Sequence, residues 1–143
     1  MARQDAGPGD EVTAGRRVLV VEDHPANQLL VEAVLERAGY DVDLAGDAVE
    51  ARARIAAARP DVILMDVQLP GQDGLSLARE LKTQPSTAAI PVIAVSAHAM
   101  SGDQAEALAA GCAGYITKPI DTRTLAGQVR QFIGRASEAA PGS

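Results

Sequence analysis

Five polar side chains in this 143-residue sequence sit where they could do chemistry. Glu22 and Asp23 follow the apolar run Val18-Leu19-Val20-Val21, and Asp66 follows Val62-Ile63-Leu64-Met65. Ser96 follows Val92-Ile93-Ala94-Val95, and Lys118 closes Gly114-Tyr115-Ile116-Thr117. Three carboxylates brought together repel: two like charges ~4 Å apart cost roughly 4 kcal/mol at an effective dielectric of 20. Either some of them protonate or a cation joins them. The set offers hard oxygen ligands with no cysteine nearby, which favours Mg2+, or Mn2+, over zinc. Mg2+ is commonly held by one or two carboxylates together with phosphate oxygens and water. A carboxylate can also act as the nucleophile of phosphoryl transfer, forming an aspartyl phosphate. The charge that develops then needs the metal, a cation such as Lys118 and a hydroxyl donor such as Ser96.

These residues meet only if the chain folds in a particular way. The apolar runs Val18–Val21, Val42–Ala45, Val62–Met65, Val92–Val95 and Gly114–Ile116 are continuous rather than alternating, as in strands buried on both faces. Helical stretches lie between them. Pro25 suits the first turn of a helix reaching about Ala38, with Gly39 at its end. Asp47 with Glu50, and Ser101 with Gln104, read as capping pairs, and Gly111 fits a helix end. Asp121 can cap a last helix whose apolar positions are Leu125, Val129, Phe132 and Ile133. Five βα units predict a doubly wound, five-stranded parallel sheet with five helices. With strand order 2-1-3-4-5, strands one and three flank the switch point, where ligands of open α/β sheets bind. Those strands carry Glu22, Asp23 and Asp66.

The bulk numbers fit one soluble domain: 47% hydrophobic, 22% charged, net charge −6. The negative charge and an aromatic content of 2% argue against direct nucleic-acid binding. The single cysteine, Cys112, excludes an intramolecular disulfide and reads as a small buried hydrophobe. There is no signal-peptide core and no run near the ~20 apolar residues of a membrane span, so a cytoplasmic protein is expected. Residues 1–15 and 135–143 read as disordered tails around a domain at 16–134.

Each residue alone has an ordinary use. Asp23 before Pro25 could be a turn former, Ser96 a helix cap, and Lys118 before Pro119 a solvated cation. That all of them hold only those uses, at four strand ends on one sheet edge, is much harder to accept.

The motifs Val18-Leu-Val-Val-Glu22-Asp23, Ile63-Leu-Met-Asp66-Val-Gln-Leu-Pro70-Gly-Gln-Asp-Gly74, Val95-Ser96-Ala97 and Tyr115-Ile-Thr-Lys118-Pro119 resemble the receiver domain of two-component response regulators, a flavodoxin-like fold. The resemblance covers about Arg17 to Ile133. It implies that Asp66 is phosphorylated by a histidine kinase or phosphotransfer protein. It implies that Asp23, Asp66 and the Gln68 backbone carbonyl bind Mg2+, with Glu22 helping through water. Ser96 and Lys118 would grip the phosphoryl oxygens, Lys118-Pro119 would be a cis peptide, and Tyr115 would be the switch aromatic that turns inward with Ser96. The face of helix four, strand five and helix five would then change its preference for a downstream effector, with homodimerisation on phosphorylation as a further expectation.

Glu22 stands where Asp is frequent in the family and Ser96 where Thr is frequent; both keep the chemistry. Gln68 and His98 occupy positions that tune phosphate lifetime. His98 is expected to line the mouth of the site, and His24 to be a loop residue rather than a ligand. The stretches Asn27-Gln28 and Ser96-Ala-His-Ala-Met100 look more like hybrid-kinase and stand-alone receivers than transcription factors. A stand-alone regulator without DNA-binding output is expected; the alternative is a receiver fragment of a hybrid kinase or larger regulator. A haloacid-dehalogenase-like phosphatase also uses a nucleophilic Asp, but its Asp-x-Asp motif would need an acid where Gln68 stands. Only self-phosphorylation and slow autodephosphorylation are expected, not enzymatic turnover. A phosphorylation-independent interaction domain fits less well with the retention of Asp23, Asp66 and Lys118.

Overall fold

The computed structural model describes residues 16–97 and 101–142. The expected N-terminal tail at 1–15, together with His98 and Met100, lies outside the described residues. Strands β1 (Arg17–Val21), β2 (Asp41–Ala45), β3 (Val62–Asp66), β4 (Val92–Ser96) and β5 (Gly114–Thr117) alternate with helices α1 (Pro25–Arg37), α2 (Ala48–Ala57), α3 (Gly74–Lys82), α4 (Ser101–Ala109) and α5 (Leu125–Gly142). The sheet is parallel throughout, in the order β2-β1-β3-β4-β5.

Alternation of side chains along each strand divides the core in two. Leu19 and Val21 of β1, Ile63 and Met65 of β3, and Val92 and Ala94 of β4 pack against Ala48 and Ala51 of α2, Leu77 and Leu81 of α3 and Ala107 of α4. Val18 and Val20, Val62 and Leu64, and Ile93 and Val95 face Val31 and Leu35 of α1 and Leu125, Val129 and Ile133 of α5. Both faces of β1, β3 and β4 are therefore covered, which is why these strands read as unbroken apolar runs. Strand β2 is at the edge and departs from that pattern: Asp41 is exposed and Asp43 half-buried.

The turn chemistry is local. Pro25 opens α1, and Gly39 (φ 102°) and Gly111 (φ 98°) take the left-handed conformation after α1 and α4. Asp47 caps α2 by accepting from the Glu50 N–H at 2.8 Å, while Glu50 reaches back to the Gly46 N–H at 2.8 Å. Asp73 caps α3 in the same way, accepting from the Ser76 N–H at 2.9 Å. The side-chain cap expected at Ser101 of α4 lies outside what the structure describes. Asp121 caps a turn just ahead of α5, accepting from the Arg123 N–H at 2.9 Å. Beyond Gly134 the chain continues as helix to Gly142, where a disordered tail was expected. Arg135, Ala136, Glu138, Ala139 and Ala140 are strong helix formers, and the breaking pair Pro141-Gly142 comes only at the end. Cys112 is buried, and that burial pushes its thiol up to about 11.

Candidate functional site

The C-terminal ends of β1 and β3, neighbours in the sheet, bring the predicted acidic residues together. Asp66 is the last residue of β3 and Glu22 directly follows β1; both are buried. Two backbone contacts hold the β1 end in place: the Glu22 N–H donates to Ala45 O at 2.9 Å, and Gln28 Nε2 donates to Glu22 O at 2.5 Å. After β3 the chain turns sharply, because the Gly74 N–H bonds Val67 O at 2.9 Å. That turn presses Gly74 onto Asp66: a Cβ at residue 74 would lie 2.1 Å from Asp66 O. Only glycine leaves room for this approach.

Each Asp66 oxygen has a donor. The Gln68 N–H donates to Oδ1 at 2.9 Å, and Lys118 Nζ donates to Oδ2 at 3.0 Å. The same ammonium lies 3.1 Å from Glu22 Oε1, so Lys118 bridges the two buried carboxylates across the sheet. Lys118 is positioned from β5 by its own N–H, which bonds Ser96 O at 2.7 Å, and its bond to Pro119 is cis, as expected. Ser96 is buried at the end of β4 beside Asp66's strand, and Tyr115 is half-buried, packed against the α2–α4 side of the core. The Gln68 side chain is exposed. The expectation for His98 lies outside the described residues.

Burial raises the Asp66 carboxyl, and the negative charge of Glu22 adds to that; the Gln68 N–H and Lys118 offset only part of it. Glu22 suffers the same desolvation, yet hydrogen bonds from the His24 N–H, Lys118 and the His24 ring together carry it below its ordinary value. For Lys118 burial works against the charge, but the contacts to Asp66 and Glu22 outweigh it and raise the ammonium. The desolvation has a visible source, since Val20, Leu64, Val95 and Ile120 line the same small void as Glu22 and Asp66. A larger cavity of about 340 Å3 lies between α2 and α3, lined in part by Arg52, Ile55, Glu80 and Thr87, and contains none of these groups.

A hard divalent cation fits this donor set. Glu22, Asp23, His24 and Asp66 each offer one ligand atom, all within 4.8 Å of one another. Asp23 Oδ1 is buried without a hydrogen bond, although His24 Nδ1 lies 3.3 Å away. A buried acceptor left unpaired is costly unless a ligand takes it up. Sequence reasoning placed His24 in the loop and missed its turn toward the carboxylates. It also missed Arg52 of α2, which is bidentate to Glu80 of α3 at 2.7 and 2.8 Å and also donates to Gln72 in the loop after Asp66.

Residues 18–130 match the family described as response regulator receiver domain. The chain belongs to that family. This receiver is 37% identical over 121 residues to the polar-differentiation response regulator DivK of Brucella anthropi, covering 85% of this chain and 98% of DivK. It is 43% identical over 116 residues, 81% of its own length, to the response regulator PleD of Caulobacter vibrioides, of which it spans only 26%. Among solved structures it resembles the receiver domain of the sensor histidine kinase PA1611 from Pseudomonas aeruginosa PAO1, with a TM-score of 0.77 and 40% identity over 85% of this chain and 99% of that one. That receiver was solved with a magnesium ion coordinated in its active-site cleft. Among the described residues of the present receiver, no helix is long and apolar enough to cross a membrane.

Proposed function

We propose that this receiver accepts a phosphoryl group on Asp66 and passes the signal on through protein contacts. The observation that carries this reading is the placement of Asp66: buried at the switch point, one oxygen on the Gln68 N–H, the other on Lys118, beside Glu22 and Asp23. One Asp66 oxygen attacks the phosphorus of the donor as the bond from phosphorus to the leaving nitrogen or oxygen breaks, and the leaving atom takes up a proton. Lys118, already at Asp66, moves its ammonium to the phosphoryl oxygens, and the Ser96 hydroxyl donates to another. Asp23, Asp66 and the Gln68 backbone carbonyl would hold Mg2+ or Mn2+, with Glu22 acting through water. The ion, when bound, offsets the carboxylate repulsion and the charge on the phosphoryl group.

The donor is a histidine kinase or histidine phosphotransfer protein. Ser96 and Tyr115 lie on β4 and β5, so a shift of Ser96 toward phosphate acts on the α4–β5–α5 face and changes its affinity for an effector or a second copy. The DivK match over nearly the whole of that protein supports a single-domain regulator; the matches to PleD and to a kinase receiver support a module of a larger protein. With Gln68 in place of an acid two residues beyond Asp66, autodephosphorylation is slow. His98 joins Gln68 in tuning it.

Intact mass spectrometry after incubation with Mg2+ and a small acyl-phosphate donor tests the reading. One added phosphoryl group, about 80 Da, is expected on the wild type and none on Asp66→Asn. No adduct from either a small donor or a cognate kinase would sink the mechanism, and rapid multiple turnover on phosphate esters would favour a phosphatase.

A further inference from the structure

We infer that His24 is a metal ligand of this receiver through Nδ1, and that it tilts the acidic site toward divalent ions that accept imidazole, such as Mn2+ and Co2+, relative to Mg2+. The inference rests on the reading of the acidic cluster as a cation site. His24 occupies the N-cap position of α1, where a side chain ordinarily accepts a hydrogen bond from the first turn, but its ring makes no such bond. Pro25 keeps the His24 backbone extended (φ −88°, ψ 120°) and out of the helix. The His24 N–H then donates to Glu22 Oε2 at 3.0 Å, closing a short loop beside the carboxylates. Nδ1 comes to rest 3.1 Å from Glu22 Oε2 and 3.3 Å from Asp23 Oδ1. It belongs to the same group of four donors as Asp66, all within 4.8 Å. Two ligands opposite one another on an octahedral ion with bonds of about 2.1 Å stand roughly 4.2 Å apart, so shifts of a few tenths of an ångström close the shell. The ring is 67% exposed and has room to make that shift.

The chemical consequence follows from ligand type. Mg2+ prefers oxygen and keeps its waters, so an imidazole adds little to its binding. Mn2+ and, more strongly, Co2+ gain from a nitrogen donor. The buried, unpaired Asp23 Oδ1 beside Nδ1 gives the same ion an oxygen next to the nitrogen.

The test uses the full chain labelled with 15N-histidine and loaded with Mn2+. Pulsed EPR should show a directly coordinated histidine nitrogen. The coupling should vanish in His24→Phe and persist in a variant of the other histidine, His98→Phe. In calorimetric titrations, His24→Phe should weaken Mn2+ binding about tenfold and leave Mg2+ binding within about twofold. Bound Mn2+ without histidine coupling, or coupling that survives in His24→Phe, overturns the ligand assignment and leaves the cation site standing. Failure of the wild type to bind either ion overturns the cation site, and the assignment with it.

Discussion

Among the described residues, Lys118 is the one cation in contact with both buried carboxylates, so Lys118→Met is the most informative change to the metal-free protein. Its ammonium lies 3.1 Å from Glu22 and 3.0 Å from Asp66, and both carboxylate side chains are 5% exposed. The two contacted oxygens are therefore at most about 6 Å apart, and without Lys118 they repel by about 3 kcal/mol at an effective dielectric of 20. Proton uptake limits the damage. Carrying one carboxyl from about 3.9 to a pH of about 7.5, at about 1.4 kcal/mol per unit, caps its cost near 5 kcal/mol. A loss of about 2–4 kcal/mol at pH ~7.5 is expected, in line with other broken buried pairs.

The pH dependence of that loss has a definite sign. Asp66 is already raised by burial and by Glu22; removing Lys118 raises it further and takes away contacts that hold Glu22 below its ordinary value. A carboxyl raised in the folded state contributes stability below its unfolded value, and that contribution is lost as pH rises through the folded value. The deficit should therefore shrink on acidification, to about 1 kcal/mol near pH 5. Urea unfolding in EDTA at the two pH values, followed by far-UV circular dichroism, measures it. A deficit below about 0.5 kcal/mol at the higher pH, or one that does not shrink, would refute the bridging role of Lys118.

Asp66→Asn should stabilise the metal-free protein by about 1 kcal/mol, since the raised carboxyl shows that its charge opposes folding and Asn can still accept from the Gln68 N–H; a loss in urea unfolding would contradict this. Gly74→Ala should cost at least about 2 kcal/mol, because the new Cβ meets Asp66 O and Met65 Cγ and backbone must give way; a neutral change would mean the β3–α3 turn is looser than described. Arg52→Ala breaks the tie from α2 to Glu80 and Gln72. It should cost only about 1 kcal/mol, the contact being partly exposed, but should speed hydrogen exchange in the loop that carries Gln68. Unchanged exchange there would remove Arg52 from the positioning of that loop.

The sequence made the sheet easy to read where burial was two-sided. In β1, β3 and β4 the apolar runs and the observed strands differ by one residue at an end. It was less informative at the edge: β2 mixes the exposed Asp41 and half-buried Asp43 into its pattern, although its apolar run also misses the strand by one residue. The five polar residues were legible because each ends an apolar run, and strand order then sets them along one edge of the sheet. Two features were not. The turn of His24 toward Glu22 and Asp23 depends on a hydrogen bond from its own N–H, and Arg52 meets Glu80 across 28 positions of sequence, a pairing that no local pattern encodes. Asp73 carried a local signal, a capping residue ahead of an amphipathic stretch, and the structure shows it used. The C-terminal helix runs past its expected end because helix-forming residues between Gly134 and Pro141 outnumber the Gly, Ser and Pro that suggest a tail.

The central claim is that the phosphoryl group sits on the Asp66 carboxylate. Borohydride reduction of the acyl phosphate, followed by peptide mass mapping, reads this directly. After incubation with Mg2+ and an acyl-phosphate donor, residue 66 should be recovered as homoserine, about 14 Da lighter than aspartate, with Glu22 and Asp23 unchanged. Reduction at another residue, or none at residue 66 in a sample that carries the phosphoryl mass, would contradict the account.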